Sequence, residues 1–300
     1  MDKNQSIGLI LISLLLMVYL YFTPKPETSV QTQTDSTKVE QITPVVTEEI
    51  VAPVVEEVLS DSMQNVVNQS TYGAFSIAAI GIDKDVVLEN EDVKITFTTK
   101  GARVKEVVLK KFSTYDDKPL ILLDENSSNM NMVFKSQGKD IDMSALYFKS
   151  EIVSSAKEDG TMTARFILEL SSGKFIEKIF SLPAMGYQLS YSLGFQGLDH
   201  VVDNSEVSFT WDNKMKRLEQ EYEGYLGSKK KSTINYYTAN GSYESLSASS
   251  TKNQEESLDE GIKWVSMKQK FFSAAIIADS LNFESGKFST AVDPNDTIVI

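Results

Sequence analysis

The sequence predicts a mainly β chain, an antiparallel sandwich or barrel preceded by one transmembrane helix and a disordered tether. Three observations carry that expectation. Ile7 to Phe22 is apolar and uncharged, apart from its ends an almost unbroken aliphatic run. Thr23 to about Ile82 is dominated by Thr, Val, Gln, Glu and Pro, with no aromatic residue between Phe22 and Tyr72. From Asp83 onward, apolar and polar residues alternate at period two, and Gly, Asn and Asp punctuate the runs.

The first element is the anchor, expected over residues 1–23. With its uncharged flank, Asn4 to Thr23, the run gives about 20 residues or roughly 30 Å of helix, enough for a bilayer core. Tyr19, Tyr21 and Phe22 stand at the distal end, where aromatic rings favour the membrane–water boundary. Pro24 and Pro26 then stop the helix. An uncleaved signal anchor fits better than a cleaved signal peptide, because Tyr-Leu-Tyr-Phe-Thr-Pro lacks the small residues that cleavage requires. A core helix is the third reading, but it would want a polar face. A lipoprotein anchor is excluded, since the chain has no cysteine. Lys3 favours a cytoplasmic N-terminus, although Lys25 blunts the bias.

The tether is expected over residues 24–82. Glu27, Asp35, Glu40, Glu48, Glu49, Glu56, Glu57 and Asp61 outnumber Lys25 and Lys38, and so polar a segment buries too little apolar surface to order itself. About sixty flexible residues span roughly 45 Å root-mean-square. Val54 to Val67 has weak helical character.

The β domain is expected over residues 83–300. Val93, Ile95 and Phe97 alternate with Lys94, Thr96 and Thr98 as a half-buried strand. Lys100-Gly101 turns the chain into Arg103–Leu109, and Asp116-Asp117-Lys118-Pro119 turns it again before Leu120–Leu123. Met162, Ala164, Phe166, Leu168 and Leu170 share one strand face, and Ser172-Gly173 leads into Lys174–Leu182. Tyr187, Leu189, Tyr191, Leu193 and Phe195 are evenly spaced and predict one apolar sheet face, as do Val207, Phe209 and Trp211. Lys214–Leu226 reads as a short helix, and Tyr236–Tyr243 as a hairpin whose Asn240-Gly241 suits a type I′ turn. Ser245–Glu260 reads as a polar surface loop. Thr297–Ile300 is a strand cut off in mid-pattern, so the chain is expected to be a C-terminally truncated piece.

Composition narrows the function. Three hundred residues with 41% hydrophobic content suit one large domain or two small ones. The net charge of −13 argues against nucleic acid and against electrostatic docking on anionic lipid. With no cysteine, disulfides and thiolate metal sites are excluded. His200 is the single histidine, so no two-histidine metal or catalytic arrangement exists. No phosphate-binding glycine loop or nucleophile elbow appears. The carboxylate pairs Glu48-Glu49 and Glu56-Glu57 read as solvated tether charge, Asp116-Asp117 as turn chemistry, His200 as a loop residue and Lys229-Lys230-Lys231 as a solvated run or an anionic-partner surface. We expect no enzyme activity, no catalytic residues, no metal and no cofactor.

Lys263–Phe272 is the most pointed stretch. Trp264, Phe271 and Phe272 stand among Lys263, Lys268 and Lys270. One reading is an amphipathic strand with its rings in the core and its lysines in water. The other is a partner or membrane-facing surface made of Trp264, Lys268, Lys270, Phe271 and Phe272.

The segment Lys263-Trp264-Val265-Ser266-Met267-Lys268-Gln269-Lys270-Phe271-Phe272 resembles one found in the YidC membrane-protein insertases. The opening Met1–Ile12, the stretch Asn90–Phe112 with its Lys100-Gly101-Ala102 turn, and Tyr115–Leu120 resemble the same family in the same order. The resemblance covers the chain outside the tether. It implies a large antiparallel β-supersandwich, related in shape to sugar-mutarotase domains, on the periplasmic side of the bacterial inner membrane. It implies the Sec translocon with its accessory subunits and nascent membrane proteins as partners, and the lipid bilayer as the N-terminal helix's surroundings. The family's insertase core is a group of membrane helices after this domain, with an arginine in a hydrophilic groove. No second membrane helix is expected in residues 23–300, so no groove residue carries over. Two other readings stand beside this one: a membrane-tethered, mutarotase-like carbohydrate-binding module, and a passive structural anchor. One loop histidine makes mutarotase turnover a poor fit.

Overall fold

Seventeen β-strands, all antiparallel where they pair, account for most of the described residues. The computed structural model describes residues 61–154, 160–203, 207–216, 218, 220, 231–247 and 253–291. The expected anchor, most of the tether with its carboxylate pairs, and Thr297–Ile300 lie outside them. No helix of the described residues is long and apolar enough to cross a membrane.

Helical structure begins inside the stretch expected to be tether. Helix α1 spans Asp61–Tyr72, and a 3₁₀ helix follows over Gly73–Ala79. The physical reason is Phe75, an apolar ring of the kind that the upstream residues lack. It is fully buried and meets Phe134 edge-on at 5.1 Å.

Four strands, β1 (Asp85–Glu89), β2 (Val93–Thr98), β3 (Arg103–Ser113) and β4 (Pro119–Leu123), form one sheet in sequential order. Val93, Ile95 and Phe97 are buried, as the alternation predicts. The β2–β3 turn places Gly101 and Ala102 at φ 80° and 46°, the backbone twist that a tight hairpin requires. Asp83 pins this turn. Its Oδ1 accepts from Thr98 Oγ1 at 2.5 Å, Lys100 N at 3.0 Å and Thr99 Oγ1 at 3.2 Å. Burial pushes the Asp83 carboxyl up, but these donors outweigh it and hold it below the usual range.

A second sheet has the order β10-β9-β8-β7, from β7 (Lys149–Ser154), β8 (Met162–Ser171), β9 (Lys174–Leu182) and β10 (Ser190–Gln196). Ala164, Phe166 and Leu168 face the core with Ile176, Phe180 and Leu182. Phe97 bridges the two sheets, 4.6 Å from Phe180 and 5.8 Å from Phe166. A third sheet, β11-β5-β6, joins β5 (Ser128–Ser136), β6 (Lys139–Asp142) and β11 (Ser208–Asn213), and Phe134 carries it into the same core. Leu189, Leu193 and Phe195 pack partly buried against that core, while Tyr187 precedes β10 and is exposed.

The remaining strands build a second, smaller core. Strands β12 (Thr233–Thr238), β13 (Tyr243–Ser247), β15 (Ile262–Lys268) and β16 (Ser273–Ile277) pair in the order β13-β12-β15-β16. The ribbon of β14 (Gln254–Leu258) and β17 (Gly286–Thr290) packs onto it through Tyr236 and Phe288, stacked at 4.6 Å.

The structure departs from the sequence expectations at three places. Of the helix expected over Lys214–Leu226, residues 214–216, 218 and 220 are not helical and the rest lie outside the described residues; Met215 and Leu218 are buried, so tertiary packing overrides local propensity there. The β12–β13 loop is not type I′, because only Gly241 of the Asn-Gly pair takes a positive φ, 95°. Gly241 N donates to Thr238 O at 3.2 Å and Thr238 N to Ser242 O at 2.9 Å, a three-residue loop that ends in a left-handed glycine. The polar stretch Ser245–Glu260 contains the end of β13 and all of β14, because one face of the ribbon carries polar side chains into water.

Lys178 lies on the core face of β9 between Ile176 and Phe180. Its Nζ donates to Gly101 O at 2.8 Å and sits 5.5 Å from the centre of the Phe148 ring. Burial, with the Arg103 charge added, pushes its pKa down to about 7. The unfolded chain therefore keeps this proton up to about pH 10, whereas the native chain releases it near 7. Below pH 7 the charged amine is fully destabilising, and stability rises with pH through that window at on the order of 1 kcal/mol per pH unit. Urea denaturation should show this slope, and Lys178→Met should flatten it and raise the midpoint at pH 6.

Candidate interaction surface

The candidate residues all lie on the β15–β16 hairpin, which holds them at two places. Trp264 is in β15 and pairs with Tyr237 of β12 and Ile277 of β16, while Tyr237 pairs with Tyr243 of β13. One row therefore crosses all four strands. The Tyr237 and Trp264 rings stack 6.0 Å apart with 6° between planes, and Tyr243 leans to within 6.0 Å of Trp264. The Tyr243 hydroxyl donates to Asn235 Oδ1 at 3.1 Å. A bulge at Tyr237/Thr238 shifts the register of β12 against β15 beside Lys263. The Lys263 ammonium then lies 5.4 Å over the Tyr237 ring.

Lys268 marks the other end of β15, opposite Ser273, and is exposed. The turn that follows is closed by Gln269 N donating to Phe272 O at 2.7 Å, which puts Lys270 and Phe271 at its tip. Lys270 Nζ lies 4.9 Å from the Phe271 ring centre. Phe272 points back into the molecule and meets Phe112 of β3 edge-on at 5.5 Å. The β3–β4 turn stands beside it, closed by Thr114 N to Lys118 O at 2.9 Å. In that turn Lys118 pairs with Asp116 at 2.5 Å. That ion pair, helped by the Thr114 hydroxyl, holds the Asp116 carboxyl below its usual range. Asp117 takes φ 61°. The adjacent aspartates thus serve the turn.

Trp264 is consequently a packing residue of the second core's outer face, separated from Phe271 by the length of β15. Sequence reasoning missed Phe112, Tyr237 and Tyr243 as neighbours of these residues. Only cross-strand register brings them together, although a lone Phe112 after two lysines was visible. His200 stands in an exposed turn. Among the described residues, no cluster of three or more His, Cys, Asp or Glu could hold a metal ion.

The family model for the YidC periplasmic domain matches residues 85–298. The chain belongs to the YidC family. The "Membrane protein insertase YidC" of Amoebophilus asiaticus is 34% identical over 295 residues, covering 95% of this chain and 46% of that protein. The proteins of the same name from Cytophaga hutchinsonii and Phocaeicola vulgatus are 33% and 26% identical, covering 91% and 93% of this chain and 42% and 43% of theirs. The chain thus spans less than half the length of these curated relatives, and the matched residues contain all seventeen strands described above.

The two ends of the hairpin should respond differently to substitution. Trp264→Ala should lower stability by about 2 kcal/mol, since it removes a half-buried ring from the stack. Phe271→Ser should stay within about 0.5 kcal/mol, as for other exposed positions. Urea titrations followed by circular dichroism would separate these outcomes.

Proposed function

We propose that this chain is the N-terminal part of a membrane protein insertase and chaperone, which helps integral membrane proteins insert, fold and assemble. The observation that carries this reading is the family match over residues 85–298. The shared name of the relatives supports it. On this reading nascent membrane proteins are the clients, and the Sec translocon with its accessory subunits is a partner, with insertion also possible without it. Residues 7–22 anchor the chain in the bacterial inner membrane with the N-terminus in the cytoplasm. The acidic tether then places a periplasmic β-supersandwich at the outer face. The domain works by binding rather than by bond chemistry, without a cofactor.

Two experiments test this. In bacterial cells depleted of their own insertase, the natural full-length protein should restore client insertion, read by protease accessibility. Stable expression in the membrane without restoration of any client would overturn the reading. Alkaline carbonate extraction tests the anchor separately: the chain should stay with the membranes, and release into the soluble fraction would show that residues 7–22 do not hold it.

A further inference from the structure

Lys178 lies in surroundings that suit the neutral form of its amine. It is 4% exposed, between Ile176 and Phe180 on the core face of β9. A charged amine has three N–H donors, and Gly101 O accepts one of them. The Phe148 ring lies 5.5 Å from the nitrogen. Among the described residues no carboxylate forms an ion pair with it. The charge that acts on it is that of Arg103, which opposes protonation. Lys105, Lys111 and Lys118, by contrast, each pair with an aspartate, and their amines are pushed up. Above about pH 7 Lys178 therefore holds a lone pair where those lysines hold a proton. A lysine amine desolvated beside a second cation is a nucleophile.

Arg103 completes the geometry. A Cβ on Gly101 would stand 3.4 Å from Arg103 Cδ, so the arginine stem runs past the residue whose carbonyl holds Lys178. The Arg103 side chain is half-buried, and its Nε lies inside the protein without a hydrogen-bond acceptor. It forms no ion pair among the described residues. A buried guanidinium N–H without an acceptor is costly. A negatively charged acceptor between Arg103 and the Lys178 amine would satisfy that donor and remove the repulsion between the two groups. A small uncharged molecule that becomes an anion on arrival meets both needs, and it enters an apolar layer without the desolvation cost of an ion.

We propose that Lys178 is a carbamylation site, where Nζ takes up carbon dioxide and the resulting carbamate is held by Arg103. The Nζ lone pair attacks the carbon of carbon dioxide. A C–N bond forms, one C–O π bond opens onto oxygen, and one Nζ proton is released to solvent. The balance needs no oxidant or reductant. The product carries one negative charge and keeps one N–H, which goes on donating to Gly101 O. Its two oxygens accept from the Arg103 guanidinium, so each polar group of the trio gains a partner. The modification replaces a repelled amine by an ion pair and tightens the tie between β9 and the β2–β3 turn.

Carbon-13 nuclear magnetic resonance of the full chain in detergent, equilibrated with labelled bicarbonate at about pH 8, tests this. A carbamate carbonyl resonance should appear that Lys178→Met removes and Lys105→Met leaves in place, with circular dichroism reporting the fold of each variant. Arg103→Gln should lower its intensity about ten-fold, and Arg103→Lys, which restores the charge, should recover most of it. The urea midpoint of the parent chain should rise with bicarbonate against chloride of equal ionic strength, and that of Lys178→Met should not. The proposal is overturned if the folded parent chain and Lys178→Met give the same carbamate signal, which would mark a general reaction of exposed amines. It is equally overturned if folded Arg103→Gln keeps the full intensity, since the carbamate would then stand without its counter-ion.

Discussion

Phe97 sits between two sheets, 4.6 Å from Phe180 and 5.8 Å from Phe166, and these last two meet edge-on at 5.8 Å. The larger core depends on that three-ring contact. Each sheet is antiparallel and could twist alone, but neither can keep one apolar face in water. Once Phe97 fixes β2 against β8 and β9, the alternation of each strand decides which other side chains enter the core. Lys178 is admitted by the same rule, because it shares the face of Ile176 and Phe180. Its amine reaches the Gly101 carbonyl, so the β2–β3 turn and the second sheet are tied by a polar bond inside an apolar layer. The packing that excludes water there is also what depresses the lysine's pKa.

The smaller core follows the same logic on a different scale. Tyr236 and Phe288 stack at 4.6 Å and bring a two-stranded ribbon over a four-stranded sheet. A two-stranded ribbon is marginal alone and gains its stability from this packing. Phe272 and Phe112 then connect the smaller core's hairpin to the first sheet. Met215 and Met267, with Trp211 packed against them, form a further small cluster beside this region. Methionine suits such a gap because it is flexible and polarizable.

Strand type and inward faces were largely legible in the sequence because period two is a local signal. Val93, Ile95 and Phe97, and again Ala164, Phe166 and Leu168, are buried where the alternation places them. The misreadings were non-local. Leu218 lies in a stretch with helical spacing, yet it is buried in the main core without forming a helix. Glu255 and Glu256 looked like loop because their strand pairs only with β17 and shows a polar face. Of the candidate site, the residue types were legible but their neighbours were not. Nothing local to Trp264 announces Tyr243, and nothing local to Phe272 announces Phe112. Lys178 was legible in principle, as the one cation in an otherwise apolar series from Ile176 to Leu182.

The Trp264–Phe272 stretch shows why a contiguous motif need not be a contiguous site. Along β15, Trp264, Ser266 and Lys268 share a face by period two, and the strand carries them away from one another at about 3.3 Å per residue. Trp264 therefore ends in a stack with Tyr237, where burial explains its presence. Phe272 ends against Phe112, where it joins two cores. Phe271 stands at the tip of the β15–β16 turn, 70% exposed with the Lys270 ammonium 4.9 Å from its ring centre, so three rings of one short run end in three different surroundings.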